Sequence, residues 1–150
     1  LSSDVIPLCP FTRRHQALQQ RYHAHCVFQH NPLVAGLRFW FDGEGVLHGS
    51  FWGTAAQQGY TGMVHGGIVA AVIDASMAQC LMGHGIVGYT TDLSVKYRQK
   101  VLLDEPVTLR TAIERVSAQR LYRLRTNLSQ HTRRVVQAEG MFYKVEQAMQ

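Results

Sequence analysis

Gly62-Met63-Val64-His65-Gly66-Gly67-Ile68-Val69-Ala70-Ala71-Val72-Ile73-Asp74 reads as a glycine turn that opens an apolar helix. Gly66 and Gly67 carry no Cβ, so a ligand can approach their backbone closely. The first N–H groups of a helix lack partners within it, and the aligned peptide dipoles add partial positive charge there. Such an end suits an oxygen that carries or develops negative charge. Asp74 follows His65 by nine residues, roughly two and a half turns. A carboxylate inside an apolar run is costly to bury without a partner or a task.

Working outward, the helix is expected from about Gly66 to Met82, with Gly83 and Gly85 ending it. Ile68, Val69, Val72, Ile73, Met77, Leu81 and Met82 cover most of its circumference, the pattern of a buried helix. Ala70, Ala71, Ala75, Ser76 and Ala78 leave room for close packing. Upstream, Leu37, Phe39 and Phe41 alternate with Arg38, Trp40 and Asp42; a turn at Asp42–Gly45 leads into a returning strand. Trp40 and Trp52 are taken as sheet packing. Downstream, four stretches alternate apolar and polar residues: Leu93–Arg98, Val107–Glu114, Tyr122–Leu128 and Val135–Val145. They are expected to pair in consecutive hairpin order. The fold class is therefore α+β: an antiparallel six-stranded sheet wrapped around one long buried helix, spanning residues 31–150. Residues 1–30 form an N-terminal segment, irregular around Pro7 and Pro10, with a short helix that Thr12 can cap. Asn31-Pro32 marks a turn between the two.

Composition narrows the class. The 150 residues suit one domain, and 46% hydrophobic with 17% charged residues is the balance of a soluble globular chain. No run approaches the roughly 18 apolar residues a bilayer requires, so membrane insertion is not expected, and no secretory signal pattern opens the chain. The net charge of +5 favours an anionic partner. The basic residues form no dense block and no nucleic-acid motif is present, so a small anionic ligand ranks above nucleic acid. Cys9, Cys26 and Cys80 show no framework spacing, which points to a reducing compartment, the cytoplasm. The cysteines and histidines among residues 9–30 lack metal-ligand spacing and read as surface side chains, so no metal is expected.

The element order, with His-Gly-Gly opening the helix, resembles the hotdog fold. More narrowly it is similar to acyl-CoA thioesterases of the phenylacetate-pathway and hydroxybenzoyl-CoA branch. The motif that carries the resemblance is Gly59-x-x-Gly62-x-x-His65-Gly66-Gly67 with Asp74 nine residues beyond the histidine, followed by four strands. The resemblance implies that the Gly66 N–H polarises a thioester carbonyl and that Asp74 activates water or attacks the carbonyl itself. It implies an assisting hydroxyl at the start of the next strand, where Thr90 stands, and basic side chains near strand ends for CoA phosphates. It implies a homodimer or a dimer of dimers with each site shared between subunits. CoA is then part of the substrate and no separate cofactor is needed. Several relatives carry Asn or Gln seven residues before the first glycine of the pair. Gly59 stands there in this chain, with Gln58 or Gln57 as substitutes; other relatives share the glycine.

His65 is placed in the catalytic set for orienting the turn rather than as the base. Gly67, Gln58, Tyr60, Met63, Lys96 and Arg98 are the candidate substrate contacts; Lys96, Arg98 and Lys100 are expected on one strand face. Thr91 is the alternative to Thr90, but alternation sets it on the Leu93 face, away from Asp92. Cys80 reads as core. Two rivals remain: a hotdog hydratase or dehydratase, whose longer histidine signature is missing, and a non-catalytic acyl-CoA-binding module.

Overall fold

A computed structural model describes residues 9–29 and 33–146. The irregular reading of residues 1–8 and the Asn31-Pro32 turn lie outside the described residues. In chain order the elements are α1 (Pro10–Tyr22), β1 (Ala35–Phe41), β2 (Leu47–Trp52), α2 (Gly66–Gly83), β3 (Gly88–Tyr97), β4 (Val107–Ser117), β5 (Leu121–Gln130) and β6 (Arg133–Lys144). All six strands form one antiparallel sheet in the order β1-β2-β4-β5-β6-β3, and α2 packs across its inner face. Val69, Val72, Ile73, Met77 and Leu81 of α2 meet Leu47, Phe51, Leu109, Leu124, Leu128 and Phe142 of the sheet in a single core. This is the wrapped-helix architecture that the strand periods imply.

The pairing differs from consecutive hairpins at one place. β3 does not turn back onto β4; it pairs with β6 at the far side of the sheet. The last strand is therefore interior, and the open edges are β1 and β3. The chain from Arg98 to Pro106 makes the crossover, with the Arg98 and Gln99 N–H groups tied to the Val135 carbonyl at 2.9 and 3.1 Å.

α2 reaches the length and apolarity of a membrane span by composition (18 residues, mean hydropathy 1.4), contrary to the expectation that no run comes close, but 61% of it is buried in the core. Its apolar surface is matched by the sheet. Its least buried stripe is Gly66, Ala70, Asp74 and Ala78, a spacing of four that keeps one side open.

Where α2 meets β4 and β5 the core is polar at one point. Ser76, Thr111 and Thr126 are fully buried, with Ser76 Oγ 2.9 Å from Thr111 Oγ1, and Thr111 Oγ1 2.7 Å from Thr126 Oγ1. Ser76 donates onward to the Ile73 carbonyl at 2.7 Å, so every hydroxyl has a partner. Thr111 is the middle link. Thr111→Val should lower stability by about 1–3 kcal/mol, because it leaves the buried Thr126 hydroxyl with only the 3.5 Å contact to Ser76; the urea midpoint reads this, and an unchanged midpoint counts against the network.

α1 lies over the end of α2. Phe11 stacks on Phe41 with ring centroids 6.2 Å apart and meets the His84 ring at a tilt, 4.9 Å away, and His15 Nε2 meets Gln79 Oε1 at 2.8 Å. Its cap is Cys9, whose Sγ accepts from the Thr12 N–H, rather than Thr12 itself. His15 and His23 are half-buried, not surface side chains, and burial holds both below the ordinary histidine range. Among the described residues no three His, Cys, Asp or Glu side chains are grouped as metal ligands.

Candidate active site

The glycine turn is built by backbone economy. Gly59 donates to the Met63 carbonyl at 3.0 Å, and Met63 donates to that of Tyr60 at 3.0 Å, closing a tight loop in which Gly62 has φ +81°. A Cβ on Gly59 would stand 3.0 Å from His65 Cα, so a side chain there would crowd the backbone where the loop closes onto His65. Gln57 and Gln58 are engaged within the loop through their Oε1 atoms. Gln57 Oε1 accepts from Thr54 N–H and hydroxyl at 2.8 and 2.9 Å, and Gln58 Oε1 accepts from the Gly62 N–H at 2.8 Å. Both side chains brace the loop.

His65 caps α2. Its N–H donates to the Gln57 carbonyl at 2.7 Å, and its Nδ1 accepts from the Gly67 N–H at 2.9 Å. The Gly67 amide is thereby consumed within the protein, so it is not a free donor for substrate. The Gly66 N–H has no acceptor among the described residues. Gly66 lines a groove of about 590 Å³ together with Tyr60, Met63, Val64, Val69, Tyr97, Arg98, Gln99, Lys100 and Val101. Its lining combines apolar side chains with two tyrosines and two cations, Arg98 and Lys100. Tyr60 is 84% exposed and overhangs the groove. Lys96 is not part of it; it borders a separate shallow cleft with Ser94, Gln137 and Glu139. β3 ends at Tyr97, so Arg98 and Lys100 leave the strand face that Lys96 shares.

Asp74 sits further along the open stripe of α2, half-buried rather than enclosed. The Thr90 hydroxyl donates to its Oδ1 at 2.6 Å, and Oδ2 has no bond among the described residues. Strict alternation would turn Thr90 outward with Asp92. A β-bulge at Thr91 prevents this: Thr90 pairs with Phe142 and Asp92 with Met141, leaving Thr91 unpaired between them. The extra residue flips the parity, so Thr90 shares the inner face with Leu93, Val95 and Tyr97. The Thr91 hydroxyl instead donates to the Met141 carbonyl at 2.9 Å. Cys80 is fully buried, and burial pushes its thiol up to about 12, so it is inert core.

Tyr97 is the site residue that sequence reasoning missed. Its hydroxyl donates to the Gly66 carbonyl at 2.6 Å. Alternation identified it as an inward strand residue, but a bond from a side chain to backbone 31 residues away leaves no local signal.

The thioesterase superfamily model matches residues 61–122, a span that holds the turn, α2, Asp74, Thr90 and the bulged strand. Over this segment the chain is similar to the thioesterase superfamily. It is 29% identical over 97 residues to the acyl-coenzyme A thioesterase THEM4 of Rattus norvegicus, covering 64% of this chain and 42% of that protein. It thus spans less than half the length of this curated relative. Among solved structures, the PaaI protein of the E. coli phenylacetic acid degradation operon superposes with a TM-score of 0.76 at 11% identity, over 93% of this chain and 99% of that one. A hypothetical thioesterase with coenzyme A from Streptococcus pneumoniae TIGR4 gives 0.69 at 17% identity, over 76% and 92%. Together these establish the sheet-and-helix fold as the hotdog fold.

Proposed function

We propose that the chain hydrolyses acyl-CoA thioesters to free acid and CoA, in a site shared between two copies. The observation that carries this reading is a pair of uncommitted groups that one chain cannot bring together. The Gly66 N–H lies eight residues from Asp74 on the same helix, about 12 Å along its axis. Helix N–H groups point towards the N-terminus, so an oxygen held by Gly66 lies further still from Asp74. One thioester carbonyl therefore cannot meet both groups of a single helix.

A second copy removes the difficulty. β3 is an open edge, and an open edge invites pairing with another strand. Antiparallel pairing of β3 with its own copy over its full length sets Tyr97 opposite Gly88 and Val95 opposite Thr90 of the second copy. Tyr97 touches Gly66 and Thr90 touches Asp74, so the donor of one subunit approaches the carboxylate of the other. A two-fold axis produces two such sites.

In each, the carbonyl oxygen accepts from the Gly66 N–H, and the charge that develops on it meets the helix end. Thr90 holds Asp74 Oδ1, leaving Oδ2 to take a proton from water as the water oxygen adds to the carbonyl carbon. Collapse of the tetrahedral intermediate breaks the C–S bond; the thiolate leaves and is protonated. The THEM4 relative is named an acyl-coenzyme A thioesterase and the S. pneumoniae neighbour holds coenzyme A. Both names support CoA as the thiol, and Arg98 and Lys100 at the groove suit its phosphates. CoA would be the anionic partner that the basic charge favours. The absence of disulfides among the three cysteines fits a reducing compartment such as the cytoplasm.

A thiol-release screen over short, long and aryl acyl-CoAs should find turnover with at least one class, in a protein that sediments as a dimer or larger. Tight binding with no thiol released would favour a binding module. Turnover only on enoyl- or hydroxyacyl-thioesters, without thiol release, would favour a hydratase. A clean monomer with full activity would remove the shared site.

A further inference from the structure

The Gly66–Gly67 peptide is held at both polar ends. Its carbonyl oxygen accepts from the Tyr97 hydroxyl at 2.6 Å, and its N–H donates to His65 Nδ1 at 2.9 Å. Bonds on the two ends of one amide polarise it in the same sense and reinforce each other. The preceding peptide, whose N–H is that of Gly66, is tethered through its carbonyl: His65 O accepts from the Ile68 and Val69 N–H groups at 3.0 and 3.1 Å. Its own N–H is left over. Neither glycine has a side chain that packing could grip, so the direction of the free N–H depends on the groups bonded to the surrounding backbone. His65 comes from the turn itself. Tyr97 comes from the sheet and is the link between the helix end and the edge strand β3.

We propose that Tyr97 is the positioning residue of the carbonyl-binding donor: with the His65 ring it clamps the Gly66–Gly67 peptide and so aims the Gly66 N–H into the groove. This rests on the thioesterase reading of the site. Three observations separate the hydroxyl's role from that of the ring. The ring lines the groove, and Phe would keep that surface. The hydroxyl reaches the backbone at a distance short for a neutral O–H···O bond. Tyr97 is also half exposed and lies outside the central core, so little folding energy depends on it. Burial raises the phenol above its ordinary range, which favours the protonated, donating form. Because Tyr97 ends the strand proposed to pair between copies, assembly would brace the clamp from outside.

The test is Tyr97→Phe in the full chain, read three ways. Turnover should fall about 10- to 100-fold, the usual consequence of a small misalignment of a catalytic group, with KM and the thermal midpoint little changed. The Gly67 amide proton should move upfield in a two-dimensional NMR spectrum, because the bond that polarises its peptide is gone. In a double-mutant cycle with His65→Leu the losses should be less than additive, since both groups hold one peptide. His65→Asn should recover part of the His65→Leu loss, as Asn also accepts from first-turn N–H groups.

Unchanged kcat in Tyr97→Phe, or kcat falling only in step with the thermal midpoint, overturns the positioning role. An unmoved Gly67 amide overturns the clamp itself and needs no activity to be read. Failure of the thioesterase reading is told apart by Asp74→Ala: turnover surviving that change removes the reaction assignment, while the amide shift still decides the clamp.

Discussion

Asp74→Ala should give a folded protein whose thiol release from its best acyl-CoA is lower by about 10²–10⁴-fold, the range that a positioned general base supplies. The expectation comes from what Asp74 lacks as a structural residue. It makes no ion pair among the described residues, and its one bond is to Thr90, a side chain on the neighbouring edge strand. It lies on the open stripe of α2 between Ala70 and Ala78, not against the core. Ala is the better helix former at such a position. The thermal midpoint is therefore expected to hold or rise slightly while kcat collapses. Asp74→Asn sharpens the result. The amide keeps the shape and can still accept from Thr90, yet cannot take a proton from water, so Asn should be nearly as inactive as Ala. Near-normal kcat in either variant removes Asp74 from the chemistry.

The parts of this site differ in how far sequence exposes them, and the difference is physical. The turn, α2 and its lone acid were readable because each is local: adjacent glycines, an apolar period and a charge out of place lie within thirteen residues. The strands were readable from their period of two. Their order was not, because the pairing of β3 with β6 depends on which edge the crossover reaches, and no residue in either strand declares it. Thr90 shows the limit best. The family resemblance pointed to it, yet plain alternation turns Thr90 outward with Asp92, and only a one-residue bulge turns it towards Asp74. The half-buried His15 was read as a surface residue because its partners, Gln79 and Phe41, come from other elements. Gln58 and Lys96 looked like ligand contacts by residue type; one braces the loop through Gly62, and the other faces a different cleft. Gly67 looked equivalent to Gly66, and the His65 ring makes them unequal.

That inequality permits a substitution that deletes a single donor. Gly66→Pro removes the N–H of Gly66 and leaves the Gly66 carbonyl available to Tyr97. Position 66 is the first residue of α2, where proline fits a helix because that N–H has no helical partner. His65 has φ −58° and ψ 132°, the extended geometry a residue before proline prefers. A Cβ at 66 would stand 3.5 Å from the Tyr97 hydroxyl, an ordinary contact. The protein should therefore fold with its stability kept or slightly raised, while kcat falls about 10²–10³-fold, the usual cost of losing one donor to a developing oxyanion. Gly66→Ala is the control, since it adds a methyl and keeps the N–H; it should retain most activity. Mixing then tests whether the site is shared. In a hybrid dimer of Asp74→Ala and Gly66→Pro subunits, one site takes its intact donor from the first and its intact carboxylate from the second. The other site has neither. Unfolding and refolding the two inactive proteins together in equal amounts should restore about a quarter of wild-type turnover, because half the dimers are hybrids and half their sites are intact. If each site lay within one chain, every subunit in the mixture would carry a lesion and no activity would return.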